Sequence, residues 1–250
     1  MEAISHIDWV IYGAAVFITA IFSGIAGAGG GFIMTPLLIF LGATPAQAVS
    51  TGKFSGLAVS IGSLSGLRKV KIHSKRTVLV VVAMALIAGL LAPFVIVSLD
   101  NEVYKTLLGI LLLVMIPVLY IKKVGQRRTK PGSKKRFLGY GLVGLSLWLQ
   151  GIFSGGVGTF VNVALMGFLG MTALEANVVK RYSQLILNSV ILLAVFYTGL
   201  VIWPIAIIGS VMALIGGYIG GKLAFKSGDI FVMNIFMIFM LISGVALIIG

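Results

Sequence analysis

The 250-residue sequence has no cysteine, which excludes disulfides, zinc–thiolate sites, iron–sulfur clusters and Cys nucleophiles. Its two histidines, His6 and His73, are far apart and outside the long apolar runs, so no haem, His-rich metal site or other cofactor is expected. Charge is scarce as well: 10% of residues carry one, whereas a soluble domain averages about 25%. Acids are scarcest, with Glu2, Asp8, Asp100, Glu102, Glu175 and Asp229 making the whole set of six. A membrane-embedded enzyme needs an acid, base or metal set within its spans, and one glutamate is thin material for that. The chain is therefore read as not an enzyme. Its first eight residues lack the basic stretch of a cleavable signal peptide, and the first apolar helix is expected to serve as its own insertion signal.

Apolar residues are what the sequence has in excess, 59% of the chain with a mean hydropathy of +1.15. Runs of about 20 apolar residues recur from end to end, the length at which a helix crosses a bilayer. With no water to bond the backbone there, those runs are expected to be helices. The net charge of +13 and pI of about 10.2 would suggest nucleic-acid binding in a soluble chain. The distribution points elsewhere. Of the 19 Lys and Arg residues, five lie between Arg68 and Arg76 and eight between Lys122 and Arg136. Two short basic loops between apolar spans mark the cytoplasmic face, opposite anionic lipid. Nucleic acid is the weaker reading.

Hydropathy and Gly/Pro breaks place long spans at about 9–26, 45–67, 77–98, 103–121, 137–153, 172–197, 201–222 and 230–249. Short segments fall at about 32–41 and 160–169. The expected fold is an all-α polytopic membrane protein with about eight long transmembrane helices and two short broken segments. Residues 1–121 form a first transmembrane repeat, 122–136 a basic cytoplasmic linker, and 137–250 a second repeat. The repetition is visible in the residues. Phe22-Ser-Gly24 returns as Phe153-Ser-Gly155, with Gly27 matching Gly158. At an offset of 128, Gly42 matches Gly170, Thr44 matches Thr172, Lys53 matches Arg181 and Ser55 matches Ser183. Repeats that each hold a broken helix are the sequence sign of a secondary transporter. Placing both basic loops inside, with Lys222 and Lys226 joining them, favours inverted over parallel repeats.

Lys53 lies about 12 Å along its helix from Pro45, too deep to reach either membrane surface easily. Arg181 holds the equivalent place in the second half, with Lys180 beside it. A charge near the bilayer centre costs about 2.5–3.5 kcal/mol, and such residues are candidates for function. Glu175 is the one acid close enough in sequence to pair with them, so binding of an outside anion is favoured over internal pairing. Asn177, Gln184 and Asn188 share one helical face with Arg181, and the first-half face carries Lys53, Gly56 and Ser60. These polar positions are read as a site lining, against the alternative of plain interhelical hydrogen bonding.

The Gly27–Gly31 break admits two readings that both stand: Gly29, Gly30 and Gly31 offer backbone N–H groups to an anion, or they permit tight helix packing. Gly89, Gly109, Gly209, Gly216, Gly217, Gly220 and Gly221 are assigned to packing. Glu175 is a tempting proton carrier. Thr172 and Glu175 nevertheless fit a capping box, as do Thr44 and Gln47. Since Gln47 cannot carry a proton yet holds the same place, capping is the preferred reading.

The stretches Phe22–Phe32, Pro36 with Leu37, Ala48–Lys53 and Ala213–Gly221 together resemble the sulfite exporter TauE/SafE family of permeases, over essentially the whole chain. The resemblance implies a small sulfur-containing anion as cargo, such as sulfite, thiosulfate, a sulfonate or sulfoacetate. Phe160 and Val161 stand opposite Gly29 and Gly30, so any anion-binding loop is expected to be lopsided towards the first half. The resulting expectation is a multi-pass carrier in an inner membrane, working by alternating access. Lys53 and Arg181 supply attraction, while Asn177, Gln184, Asn188, Ser60 and the backbone at Gly29–Gly31 supply hydrogen bonds. Its partners are the anion, the lipid bilayer and a coupling proton or sodium ion, with no nucleic acid. An anion channel is the alternative, with a membrane-embedded enzyme or a scaffold behind it.

Overall fold

A computed structural model describes residues 6–27, 31–98, 103, 132–153 and 157–249. Among the described residues there are eight helices and no strand. They are α1 (His6–Ala26), α2 (Gly31–Phe40), α3 (Pro45–Leu67), α4 (Lys75–Ser98), α5 (Ser133–Phe153), α6 (Gly158–Gly167), α7 (Ala173–Val195) and α8 (Trp203–Ile249). Four stretches of the described residues are long and apolar enough to cross a membrane: Trp9–Ala26, Lys75–Ile96, Ala173–Val195 and Trp203–Gly228. The chain is thus a multi-pass helical protein. Helix α3 has the length but is more polar, and it buries Ser50, Thr51, Lys53, Ser55, Ser60 and Ser63. A helix walled in by other helices needs no apolar face for lipid.

Local chemistry sets the helix ends. Pro45 opens α3, and Thr44 and Gln47 form the full capping box: the Gln47 N–H donates to Thr44 Oγ1 at 3.3 Å and the Thr44 N–H to Gln47 Oε1 at 3.1 Å. In the second half the Glu175 N–H donates to Thr172 Oγ1 at 3.3 Å, but the Glu175 carboxylate turns elsewhere. Gly42 and Gly170, paired by the repeat, end the two short helices with φ of 90° and 69°. Only glycine takes that backbone without strain.

One boundary differs from expectation. The break foreseen between 222 and 230 does not form a loop around Lys222 and Lys226. Helix α8 runs through both lysines and breaks only at Gly228, whose φ of 79° and ψ of −177° are outside the helical region. Lysine is a good helix former, so an interval that looks like a turn by its charge continues as helix. The expected span at 103–121 and the linker residues 122–131 lie outside the described residues, apart from Val103.

Glycines bring three helices into backbone contact. On α8, Gly216 and Gly220 face α1 while Gly217 and Gly221 face α3. A Cβ on Gly216 would lie 2.6 Å from Phe17 O, and one on Gly217 would lie 2.6 Å from Val59 O. A Cβ on Gly220 or Gly221 would strike Ile21 O or Ser63 O. Helix α1 answers with Gly24, where a Cβ would come within 2.8 Å of Gly217 O. Residue numbers rise together along all three, so α1, α3 and α8 are parallel. A second group mirrors this: Gly151 of α5 meets Ala92 of α4, and Gly89 of α4 meets Val190 of α7. Helix α4 therefore packs with α5 and α7, and α8 packs with α1 and α3. Gly109 lies outside the described residues.

Two substitutions separate packing from propensity. Gly220→Leu drives a side chain into the α1 backbone, and overpacking of this kind costs about 1–3 kcal/mol or more. Gly52 sits inside α3 with open space where a Cβ would be added, so Gly52→Ala should be neutral or stabilising by about 0.5–1 kcal/mol. Thermal unfolding in detergent reads both; a Gly220→Leu protein as stable as wild type would refute the backbone contact.

Candidate functional site

The last turn of a helix leaves carbonyls without intrahelical partners, and inside a membrane no water replaces them. At the end of α1, five consecutive carbonyls from Ser23 to Gly27 each receive a side-chain donor from the second half. Arg181 Nη2 donates to Ser23 O and, at 3.0 Å, to Ser23 Oγ. Asn177 Nδ2 donates to both Gly24 O and Ile25 O at 3.0 Å. Asn162 Nδ2 donates to Ala26 O at 3.1 Å, and Lys180 Nζ donates to Gly27 O. Cations at a helix C-terminus also match the sign of its dipole.

The first half returns the arrangement. Lys53 Nζ donates to Gln150 O at 2.9 Å, in the last turn of α5. Lys53 and Arg181, paired by the repeat, thus each hold the end of a helix belonging to the opposite half. Two repeat-paired glycines make room for the polar groups. A Cβ on Gly27, at φ of 64°, would lie 2.5 Å from Asn162 Nδ2 and 2.8 Å from Asn177 Oδ1. One on Gly158 would lie 2.7 Å from Lys180 Nζ and 3.1 Å from Gln150 Nε2.

Lys53, Asn177, Lys180 and Arg181 are at most 2% exposed. Among the described residues none of the three cations has a carboxylate partner. Glu175, the acid expected to be nearest them, instead accepts from the His73 backbone N–H at 3.0 Å and lies 2.9 Å from His73 Nδ1. That loop between α3 and α4 offers Glu175 two donors, which explains why the second capping box is only half formed.

The other expected lining residues are placed less centrally. Gln184 Oε1 accepts from Arg181 Nη1 at 3.1 Å. Asn188 faces Gly56 of α3, its Nδ2 2.7 Å from where a Cβ would be. Ser60 Oγ bonds back to Gly56 O of its own helix at 2.8 Å. Gly29 and Gly30 lie outside the described residues, and Gly31 opens α2. Sequence pattern alone leaves Ser23 and Gln150 out of the site, although Asn162 is readable as a side-chain donor and Lys180 as a cation placed where charge is expensive. A signal for them exists: a helix that stops at glycine inside an apolar region must have its last carbonyls met by buried donors. The cluster also keeps unused polar capacity. Arg181 Nε, Asn162 Oδ1, Asn177 Oδ1, Gln150 Oε1 and Thr159 Oγ1 are buried without a hydrogen-bond partner, each at a cost of about 1–3 kcal/mol.

A multi-pass helical chain with three cations buried at helix ends has the make-up of a membrane transporter. The sequence profile of the sulfite exporter TauE/SafE family matches residues 12–247, and the chain belongs to that family, one of membrane transporters rather than enzymes. It is similar to a "Probable membrane transporter protein" of Haemophilus influenzae, 26% identical over 90% of this chain and 89% of the relative. It is likewise similar to the "Probable membrane transporter protein YfcA" of Escherichia coli K12, 24% identical over 86% of this chain and 81% of the relative.

The capping scheme predicts an order of stabilities. Asn177→Ala leaves Ile25 O without its side-chain donor and Gly24 O with only the 3.4 Å bond from Ser63 Oγ, an unsatisfied buried carbonyl costing about 1–3 kcal/mol, and Asn188→Ala strips none of the five. Asn177→Ala should melt well below Asn188→Ala in a detergent thermal-shift assay; equal melting would contradict the scheme.

Proposed function

We infer that this transporter is a secondary carrier for a small oxyanion, of the sulfur-containing kind typified by sulfite, thiosulfate, a sulfonate or sulfoacetate, across an inner membrane. The observation that carries this reading is the burial of Lys53, Lys180 and Arg181 with no carboxylate partner among the described residues. Their acceptors are neutral carbonyls. A charged oxygen makes a hydrogen bond roughly twice as strong as a neutral one, so an entering oxyanion competes with Ser23 O and Gly27 O for the same donors. Arg181 Nε is a further donor with no acceptor. Transfer of Arg181 and Lys180 from carbonyls to anion frees the end of α1. That gives substrate binding a differential hold on two conformations, which alternating access requires. Asn177, Gln184, Asn188, Ser60 and the Gly29–Gly31 backbone complete the proposed lining, with a proton or sodium ion as coupling ion.

Inverted repeats, 1–121 and 137–250 about the linker 122–136, fit the packing of α3 against α7. Gly56 of α3 faces Gln184 and Asn188. Further along α3, Ser63 Oγ shares Gly24 O with Asn177, at 3.4 and 3.0 Å. Numbers fall along α7 as they rise along α3, so two helices equivalent in sequence lie antiparallel. A reporter fused after Gly250 should accordingly report from the outer side of the membrane, and an inner signal would reverse the assignment.

Flux of sulfite and of simple sulfonates into proteoliposomes tests the carrier. Charged hydrogen bonds contribute about 1.5–3 kcal/mol, so Lys53→Ala and Arg181→Ala should each lower flux about tenfold or more while the protein still inserts. Glu175→Gln keeps an acceptor for His73 and should transport within about twofold of wild type by the same reasoning. Undiminished flux in both cation variants removes the site. Flux that neither saturates nor responds to a proton or sodium gradient assigns a channel instead.

A further inference from the structure

A second concentration of positive charge lies apart from the buried cluster. The end of α3 and the portion of α8 before Gly228 border a cavity of about 650 Å3. Arg68 and Lys69 line it from just beyond α3, and Lys222 and Lys226 line it from α8, with no acidic residue among the lining groups. At Gly66 a Cβ would lie 2.5 Å from Lys222 N and 2.7 Å from Gly221 C, so the two helices touch through their backbones at this level. The Lys222 ammonium is further held over the Tyr218 ring, 5.8 Å from its centroid, a placement the ring quadrupole favours.

Helix dipoles account for only part of this charge. Helix α3 and the first segment of α8 both end here, each presenting about half a negative elementary charge. Together they offset about one of the four positive charges by that measure. The remaining charge is held in a concave space of the size that takes small ligands. One side of that space is walled by Leu64 and Phe225.

We propose that this cleft binds a tetrahedral oxyanion of the phosphate or sulfate type. Two sources offer that chemistry: an anion dissolved in the aqueous phase, or the phosphate of an anionic phospholipid whose acyl part runs along Leu64 and Phe225. The cleft shares no residue with Lys53, Lys180 or Arg181, so it does not depend on the carrier reading.

Purified protein in a neutral detergent is titrated in one arm with sodium sulfate against sodium chloride at equal ionic strength. In the other arm it is titrated with phosphatidylglycerol against phosphatidylcholine. Melting temperature is followed, since a ligand that binds only the folded state raises it. The variants are R68Q/K222Q in the cleft and K71Q/K75Q, which removes the same charge from the adjoining loop and the first residue of α4. The expected result is a rise in melting temperature whose half-saturating concentration increases about tenfold or more in R68Q/K222Q, the loss of charged hydrogen bonds. In K71Q/K75Q it should stay within about twofold of wild type by the same measure. A response to sulfate assigns the dissolved anion, and a response to phosphatidylglycerol alone assigns the lipid. No response to either ligand, or equal weakening in both variants, overturns the proposal. If R68Q/K222Q does not purify folded, Lys69→Gln and Lys226→Gln carry the same comparison singly.

Discussion

A helix that stops inside a membrane must have its last carbonyls met by something other than water. In this protein every carbonyl at the end of α1 receives a side chain from α6 or α7, with Ser63 of α3 adding a second bond to Gly24 O, and the demand organises the centre of the molecule. It explains why three cations are buried where charge is expensive, why Asn162 and Asn177 point at backbone, and why Gly27 and Gly158 leave space. It also joins the two halves. The end of α1 takes its donors mainly from α6 and α7, and Gln150 O of α5 takes one from α3, so the polar centre exists only when helices far apart in the chain are assembled.

Around that centre the packing is dominated by backbone contact. The Gly216–Gly217 and Gly220–Gly221 pairs present two adjacent faces of α8, one to α1 and one to α3. Small residues at helix contacts let dispersion act over a long close seam, the main attraction left when lipid removes the hydrophobic drive. The same seam continues to Gly66 and fixes the spacing of the basic residues at the end of α3. A rigid apolar frame thereby holds charged groups at set positions at two levels of the molecule.

Much of the helical layout is legible in the sequence, because hydropathy, proline and glycine act locally. The short helices ending at Gly42 and Gly170, the Thr44–Gln47 capping box and the packing role of the α8 glycines all follow from neighbours in the chain. The boundary at Gly228 escapes that reading because Lys222 and Lys226 look like a turn by charge while being sound helix formers. In the site, Lys53, Arg181 and Asn177 stand out as polar residues out of place in apolar spans. Their partners do not. Ser23 and Gln150 accept through backbone oxygens that every residue carries, so no side-chain pattern marks them. The turn of Glu175 to His73 depends on a loop placed by the fold, which the sequence pattern does not encode.

The packing of α8 against α1 and α3 bears on how such a chain is made. The groove between α1 and α3 is filled by α8, a helix that leaves the ribosome only after α1 to α7 have done so. Until then, the backbone at Gly24, Gly62 and Gly66 lacks the partner that covers it in the folded protein. The group of α1, α3 and α8 is therefore completed only once α8 has been made. A mutation near the C-terminal end of the chain can damage the earliest helices while leaving their own insertion intact.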